Sequence, residues 1–343
     1  MSRASRLVCF ASLSLLPSVV YAQQSGPLTV EAMQGRAKLE AGLDWSGTFL
    51  RLCVPPAPSA ADVAPATVTI APAPAAAAPA SPARDTWYAE PAKVFDNLYF
   101  IGTRIHNAWA LTTSAGIIIL DTLWEYADEE EMLGGLKKLG LDQNQVKYVL
   151  LSHSHGIGDH DGGAKLFQDR VPGVKLVMAA ADWDAMERGQ SGYPKGKPKR
   201  DLDATDGQKI TLGDTTVTIV TTPGHTPGTL SYLFTVKDRG QPVTVAYSGG
   251  TALSFGSTPA YYDTYIASAQ KMGKAAADAK ASVFLSNHSE FDNGYFKAKA
   301  VLARGPEDAN AFIVGAESVQ NYFKMAADCA MAGKLRAAQT KSN

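Results

Sequence analysis

The chain has almost no net charge, few cysteines and no long apolar stretch beyond its first residues. Its 343 residues include 32 basic and 33 acidic ones, a formal net charge of −1. Nucleic-acid-binding proteins need a basic surface, so this balance argues against a nucleic-acid partner. No later stretch approaches the roughly twenty consecutive apolar residues of a membrane-spanning helix. We therefore expect a protein with no nucleic-acid partner and no membrane anchor.

The N-terminus is apolar but too short to span a membrane. Two arginines precede an apolar run over residues 7–20, which ends in VYA. This pattern is typical of a secretory signal peptide, here residues 1–22, with cleavage after Ala22. The sequence thus predicts an exported protein, either periplasmic or secreted.

The scarcity of cysteine excludes a disulfide-rich scaffold. Of the three cysteines, Cys9 lies in the predicted signal peptide, which leaves Cys53 and Cys329. An even number of cysteines in an oxidising compartment favours a disulfide. We predict a bond between Cys53 and Cys329, with two buried free thiols as the alternative.

Composition divides the chain into segments. Residues 23–54 show apolar positions at helical spacing and predict an N-terminal helical segment. Residues 55–84 are rich in proline and alanine without any period, which predicts an extended linker. The remainder, residues 85–343, has regular alternating patterns and is expected to form the main domain.

The main domain begins with strands and continues with alternating strands and helices. Short β-branched runs such as AWALTT, GIIILDTL and VKYVLLS predict strands. Helices are predicted over 126–139, 162–169, 180–188, 261–279, 295–303 and 316–332. This order favours an α/β fold in which two mixed sheets pack face to face with helices outside, a four-layer αβ/βα sandwich.

Histidine is also rare, yet five of the six histidines follow predicted strands. Loops at the carboxyl ends of strands are where α/β sheets usually bind ligands. Neutral imidazoles with a carboxylate suit Zn²⁺, and a catalytic site keeps one position open for water. The alternative is a set of unrelated surface or core histidines. The candidate metal ligands are His153, His155, Asp159, His160, His225 and His288.

The motifs HSHGIGDH, PGHTPGT and NHSE resemble the ligand motifs of the metallo-β-lactamase superfamily. The strand GIIILDT also matches that family, where Asp121 would be a structural aspartate. The resemblance covers about residues 94–300 and implies the metallo-β-lactamase fold, with the N-terminal helices as an extension. It further implies two Zn²⁺ ions per chain.

The resemblance assigns the ligands to two zinc ions. The first would be held by His153, His155 and His225, and the second by Asp159, His160 and His288. Many members have a bridging aspartate after a later strand, and some lactamases have a cysteine ligand there. This chain has YSGGTAL instead, similar to the lactamase subclass with a histidine, aspartate, histidine second site. Ser248 of this stretch would then hydrogen-bond near the catalytic water.

The chain departs from the family pattern at one point. Three residues, 156–158, separate His155 from Asp159, where the family has one. Either the two extra residues bulge out, or the first histidine pair shifts relative to the Asp-His step. Glycines at both ends tolerate positive φ, which makes a bulge sterically cheap. Ile157 would then form part of the substrate wall.

The implied reaction is hydrolysis of a small-molecule substrate by zinc-bound hydroxide, with Asp159 as the catalytic proton carrier. No serine lies in a GxSxG motif, which disfavours a serine hydrolase. A β-lactam is the favoured substrate because of the export signal and the missing bridging acid. The alternatives are a lactone or other ester, a glyoxalase-type thioester, or a non-catalytic metal-binding role. His106 is interpreted as a packing or surface histidine; the alternative is that it supports the metal ligands or contacts the substrate.

Overall fold

The computed structural model describes residues 28–56, 81–189 and 193–339. The predicted signal peptide and most of the predicted linker lie outside this range. Within it, no helix is long and apolar enough to cross a membrane.

The strands of the described residues form two sheets. In the first, the spatial order follows the chain: β1 Ala92–Phe95, β2 Leu98–Phe100, β3 Trp109–Thr113, β4 Gly116–Leu120, β5 Val146–Leu150, β6 Lys175–Ala179 and β7 Leu202–Ala204. In the second, the order is β12-β11-β10-β9-β8, with β8 Lys209–Leu212, β9 Thr215–Thr221, β10 Leu230–Asp238, β11 Gln241–Ser248 and β12 Val283–Ser286.

The helices of the described residues surround the two sheets. They are α1 Val30–Ala41, α2 Ser46–Cys53, α3 Arg84–Trp87, α4 Glu125–Ala127, a π-helical turn Asp128–Leu133, α5 Gly134–Lys138, α6 Ala164–Arg170, α7 Ala180–Arg188, α8 Pro259–Asp278, α9 Ser289–Asp292, α10 Gly294–Leu302 and α11 Ala316–Gln339, with a 3₁₀ turn at Gln143–Gln145. The helices α4 to α7 pack on the first sheet, and α8 and α11 pack on the second. One apolar core fills the space between the sheets. The predicted four-layer sandwich is confirmed.

Strand β4 shows why the sequence folds this way. Ile117, Ile118, Ile119 and Leu120 are all buried, because β4 lies inside the sheet with layers on both faces. Successive side chains point to opposite faces, so Ile118 enters the core between the sheets and Ile119 the core under the helices. The isoleucine run therefore identifies an inner strand. The polar edge strands β7 and β8 carry no such signal and were not predicted.

The two N-terminal helices pack against the C-terminal helix α11. Trp45 inserts between Phe284 of β12 and Tyr322 of α11, with ring centroids 5.1 and 5.3 Å away. Cys53 and Cys329 are buried side by side, with Cα atoms 4.5 Å apart, a separation that suits a disulfide. The N-terminal segment thereby supports the strand that leads to His288.

Candidate metal centre

The five strand-end histidines meet at one site between the two sheets. The loop after β5 carries His153, His155 and His160, the loop after β9 carries His225, and His288 follows β12. The carboxyl ends of these strands lie at the same edge of the sandwich. The structure therefore brings together all of the ligand candidates predicted from the sequence.

The first group consists of His153, His155 and His225, whose candidate ligand atoms lie within 4.8 Å of one another. The Nδ1 of His153 donates to the carbonyl oxygen of Gly249 at 2.6 Å, and the Nδ1 of His225 donates to that of Ala252 at 2.9 Å. These bonds fix the tautomers, so each Nε2 carries a lone pair. The Nε2 of His153 is buried without a hydrogen-bond partner, as expected of an atom prepared for a metal.

The second group is arranged less simply than the resemblance implies. The Nε2 atoms of His160 and His288 are 3.0 Å apart. A carboxylate oxygen of Asp159 lies within 4.8 Å of ligand nitrogens of His153 and His160. A second set of three residues at the same spacing consists of His106, His160 and His288. The Oδ2 of Asp159 lies 3.8 Å from the Nε2 of His160 and 4.0 Å from that of His155. Asp159 is therefore placed between the two groups.

The two extra residues of the loop do not separate the ligands. Gly156 and Gly158 have φ of 73° and 84°, the left-handed region that glycine occupies without strain. A side chain at Gly156 would also lie 2.7 Å from the carbonyl oxygen of Ala185. Ile157, between them, is 38% exposed, and His155 still reaches within 2.9 Å of His225. The loop thus keeps the ligands together despite its extra residues, while the role of Ile157 as a substrate wall stays a prediction.

Burial keeps four of the clustered imidazoles neutral, those of His153, His160, His225 and His288. Desolvation lowers the pKa of His225 to about 4 and that of His153, His160 and His288 well below the ordinary value, with repulsion from neighbouring histidines adding to the effect. The same desolvation raises the pKa of Asp159. Neutral imidazoles with one carboxylate form a donor set that suits Zn²⁺ and similar borderline ions rather than hard cations such as Mg²⁺. The residues present therefore fit the metal that the family implies.

Residues 249–250 leave no space for a bridging acid. A Cβ atom on Gly249 would lie 1.8 Å from the carbonyl oxygen of Leu230, and one on Gly250 would lie 2.7 Å from the Cβ of His225. The absence of a side chain here is thus required by the packing of the site. Ser248 lines a small cavity between the second sheet and helices α8 and α11; its predicted bond near a catalytic water stays a prediction.

Asp121 holds the start of the first ligand loop in place. Its carboxylate accepts hydrogen bonds from the backbone N–H and hydroxyl of Ser152 at 2.6 and 2.8 Å, and from the hydroxyl of Tyr247 at 2.5 Å. Ser152 immediately precedes His153, so Asp121 fixes the start of the ligand loop. This agrees with the structural role that the resemblance implies.

Sequence reasoning missed several supporting residues. Asp182 of α7 accepts from the backbone N–H of Ser154 at 3.0 Å, from the hydroxyl of Thr226 at 2.6 Å and from the N–H of Gly228 at 2.8 Å. It therefore ties the His155 loop to the His225 loop. Asn287 donates to the carbonyl oxygen of Gly249 at 2.7 Å, beside His153. Asp182 belongs to no motif, and Asn287, although it begins the motif NHSE, was given no role there.

Comparison with known proteins agrees with this geometry. Residues 101–238 match the family model described as the metallo-beta-lactamase superfamily. A hydroxyacylglutathione hydrolase of Acidiphilium cryptum is 27% identical over 231 residues, 63% of this chain and 87% of that protein. An N-acyl homoserine lactonase of Agrobacterium fabrum is 29% identical over 127 residues, 34% of this chain and less than half, 46%, of the lactonase.

Solved structures show the same fold. A subclass B3 metallo-beta-lactamase of Bradyrhizobium japonicum has a TM-score of 0.58 and 27% identity, covering 74% of this chain and 96% of its own. A metallo-beta-lactamase of Elizabethkingia meningoseptica has the same TM-score at 20% identity, with 73% and 93% covered. Residues 101–238 therefore form a metallo-beta-lactamase superfamily domain, and the chain is a metallo-hydrolase.

Proposed function

We propose that this protein is an exported, zinc-dependent hydrolase that opens a cyclic amide, most directly a β-lactam ring. The choice of substrate class rests on the close packing around Gly249 and Gly250. No side chain fits at either position, so the bridging acid found in many members of the family is excluded. The subclass B3 enzyme that the chain resembles over most of its length supports the same choice.

In this proposal His153, His155 and His225 hold one zinc ion, while Asp159, His160 and His288 hold the other. When bound, the ions supply a water of lowered pKa as nucleophile and a Lewis acid for the attacked carbonyl. The Nε2 of His153 is buried without a hydrogen-bond partner, and such binding would satisfy it.

Asp159 is the residue that moves a proton. Its side chain is largely buried and lies between the two histidine groups. Its Oδ1 has no hydrogen-bond partner, so this oxygen is free to accept the proton of the attacking water. Asp159 then returns the proton to the nitrogen that leaves when the ring opens. The half-exposed loop at Ile157 borders the mouth through which substrate enters.

Lactone hydrolysis is the second candidate. It is favoured by the similarity to N-acyl homoserine lactonases, one of which is 31% identical over 135 residues. A thioesterase of the hydroxyacylglutathione hydrolase kind is less well supported, because no side chain fits where its family places the bridging aspartate.

The substrate is tested with one zinc-loaded preparation assayed on a penicillin, an acyl-homoserine lactone and an acylglutathione thioester. We expect the highest kcat/KM for the penicillin, and loss of that activity after chelation and in His225→Ala. A lactone kcat/KM ten times that of the penicillin would replace the proposal with a lactonase. Two bound zinc ions with no hydrolysis of any substrate would identify a non-catalytic metal-binding protein.

A further inference from the structure

His106 is fixed against the metal centre by the backbone around it. It lies in the loop between β2 and β3, and pairs with His288 in an isolated antiparallel bridge. The N–H of Ser289 donates to the carbonyl oxygen of Ile105 at 2.7 Å, and the N–H of Asn107 donates to that of Asn287 at 2.9 Å. The position of His106 relative to His288 is therefore set by main-chain hydrogen bonds on both sides.

The imidazole of His106 enters the second histidine group. Its ring centroid lies 4.7 Å from that of His288 and 5.4 Å from that of His160. One candidate ligand nitrogen from each of these three residues lies within 4.8 Å of the other two. The side chain is 9% exposed, and its Nδ1 is buried with no hydrogen-bond partner. Simple packing does not require a buried imidazole with an unpaired nitrogen, and leaving one unpaired is costly.

Trp124 makes the remaining polar contact of this ring. Its indole Nε1 donates to the Nε2 of His106 at 3.3 Å, so in this structure Nε2 holds the lone pair and Nδ1 the proton. A cation bound at Nε2 would displace the indole N–H. A cation bound at Nδ1 would move the ring proton to Nε2, where it would face the same N–H. Trp124 therefore competes with metal binding at His106 in either case.

We propose that His106 supplies a ring nitrogen to the second metal ion, together with His160 and His288. This inference rests on the proposed function, which places a metal in this group. The Oδ2 of Asp159 lies 3.8 Å from the Nε2 of His160 and 4.0 Å from that of His155, between the two metal sites. This position leaves room for a third imidazole at the second metal site. Such a site binds its ion mainly through neutral nitrogen donors and selects borderline ions such as Zn²⁺ and Co²⁺.

The test uses the full chain freed of metal and titrated with Co²⁺ under chelator competition. His106→Phe keeps a ring of similar size but removes both nitrogens. We expect its second Co²⁺ to bind at least tenfold more weakly, with an altered visible d–d spectrum, while the first ion is unaffected. Trp124→Phe removes the competing N–H and should bind the second ion more tightly than the wild type. A packing role for His106 would change neither spectrum nor affinity.

The outcomes separate this inference from the proposed function. If His106→Phe binds both ions with wild-type affinity and spectrum, His106 is not a ligand, although the metal centre stands. If the wild-type chain binds no transition metal, the proposed function itself fails. Circular dichroism of His106→Phe and of a second variant, His106→Gln, checks that each is folded; a folded His106→Gln with a wild-type second site would also overturn the proposal.

Discussion

Replacement of Asp182 tests how the first metal site is held. The carboxylate is fully buried and accepts three hydrogen bonds, from Ser154, Thr226 and Gly228. An asparagine has one acceptor oxygen and one amide group that only donates. In Asp182→Asn at least one of the three donors therefore loses its partner and remains buried.

The expected loss in the free energy of unfolding depends on how many buried donors are left without a partner. A buried donor without a partner costs about 1–3 kcal/mol, so Asp182→Asn should lower the free energy of unfolding by that amount. Asp182→Ala removes the acceptor of all three bonds and leaves at least the N–H groups of Ser154 and Gly228 unpaired, which should cost about 3 kcal/mol or more. Because the carboxylate joins the loops of His155 and His225, we also expect the first zinc to bind roughly 10- to 100-fold more weakly, as for other residues that orient metal ligands.

Urea unfolding of the metal-free protein gives the first quantity, and zinc titration against a chelator gives the second. Asp184→Asn is a matched control on the same helix, since Asp184 is half-exposed and pairs with Arg200, and such an ion pair contributes at most about 1 kcal/mol. The reasoning is refuted if Asp182→Asn unfolds like the control and binds zinc with wild-type affinity.

Removing a ligand, in His225→Ala or His160→Ala, should lower activity by orders of magnitude and bound zinc from two to one per chain by elemental analysis; full activity in either variant would mean that the site is elsewhere. Cys53 and Cys329 should resist alkylation in the native, non-reduced protein, and reduction should lower the melting temperature, since closing so long a loop contributes up to about 5 kcal/mol in the chain-entropy model; two reactive thiols would exclude the bond. Deleting residues 157–158 should keep two zinc ions but change the ratio of activities on penicillin and lactone, and loss of zinc would contradict this. Because burial lowers the pKa of His225 to about 4, its imidazole in the metal-free protein should gain a proton only as the pH falls toward that value; an NMR titration of His225 with a midpoint at the ordinary value of 6.5 would contradict this.

The site residues that could be predicted from the sequence are those that directly follow a strand, because the end of a strand fixes where they lie in the fold. His153, His225 and His288 each follow a strand, and the parallel arrangement places those strand ends together. His106 gave no such signal, because its approach to His288 depends on a bridge between two loops far apart in the sequence. Asp182 was missed for the same reason, since its three partners lie on loops that α7 meets only in the folded chain.

The fold was predictable where burial determines residue type. The isoleucines of β4 are apolar on both faces because both faces are covered. The strand Leu202–Ala204 is short and has one exposed residue, so its pairing with β6 depends on the sheet already formed. Edge strands of this kind pair with a sheet that has already formed, so their sequences contain little information about the core.

The bridge between His106 and His288 also affects the order in which the protein folds. The first metal position is built from loops after β5 and β9, whereas the second requires the chain before β3 to meet the chain after β12. Contacts between distant parts of a chain form slowly, because closing a longer loop costs more entropy. We therefore expect a refolding chain to bind one ion early and to gain its second only when the last strand has joined its sheet.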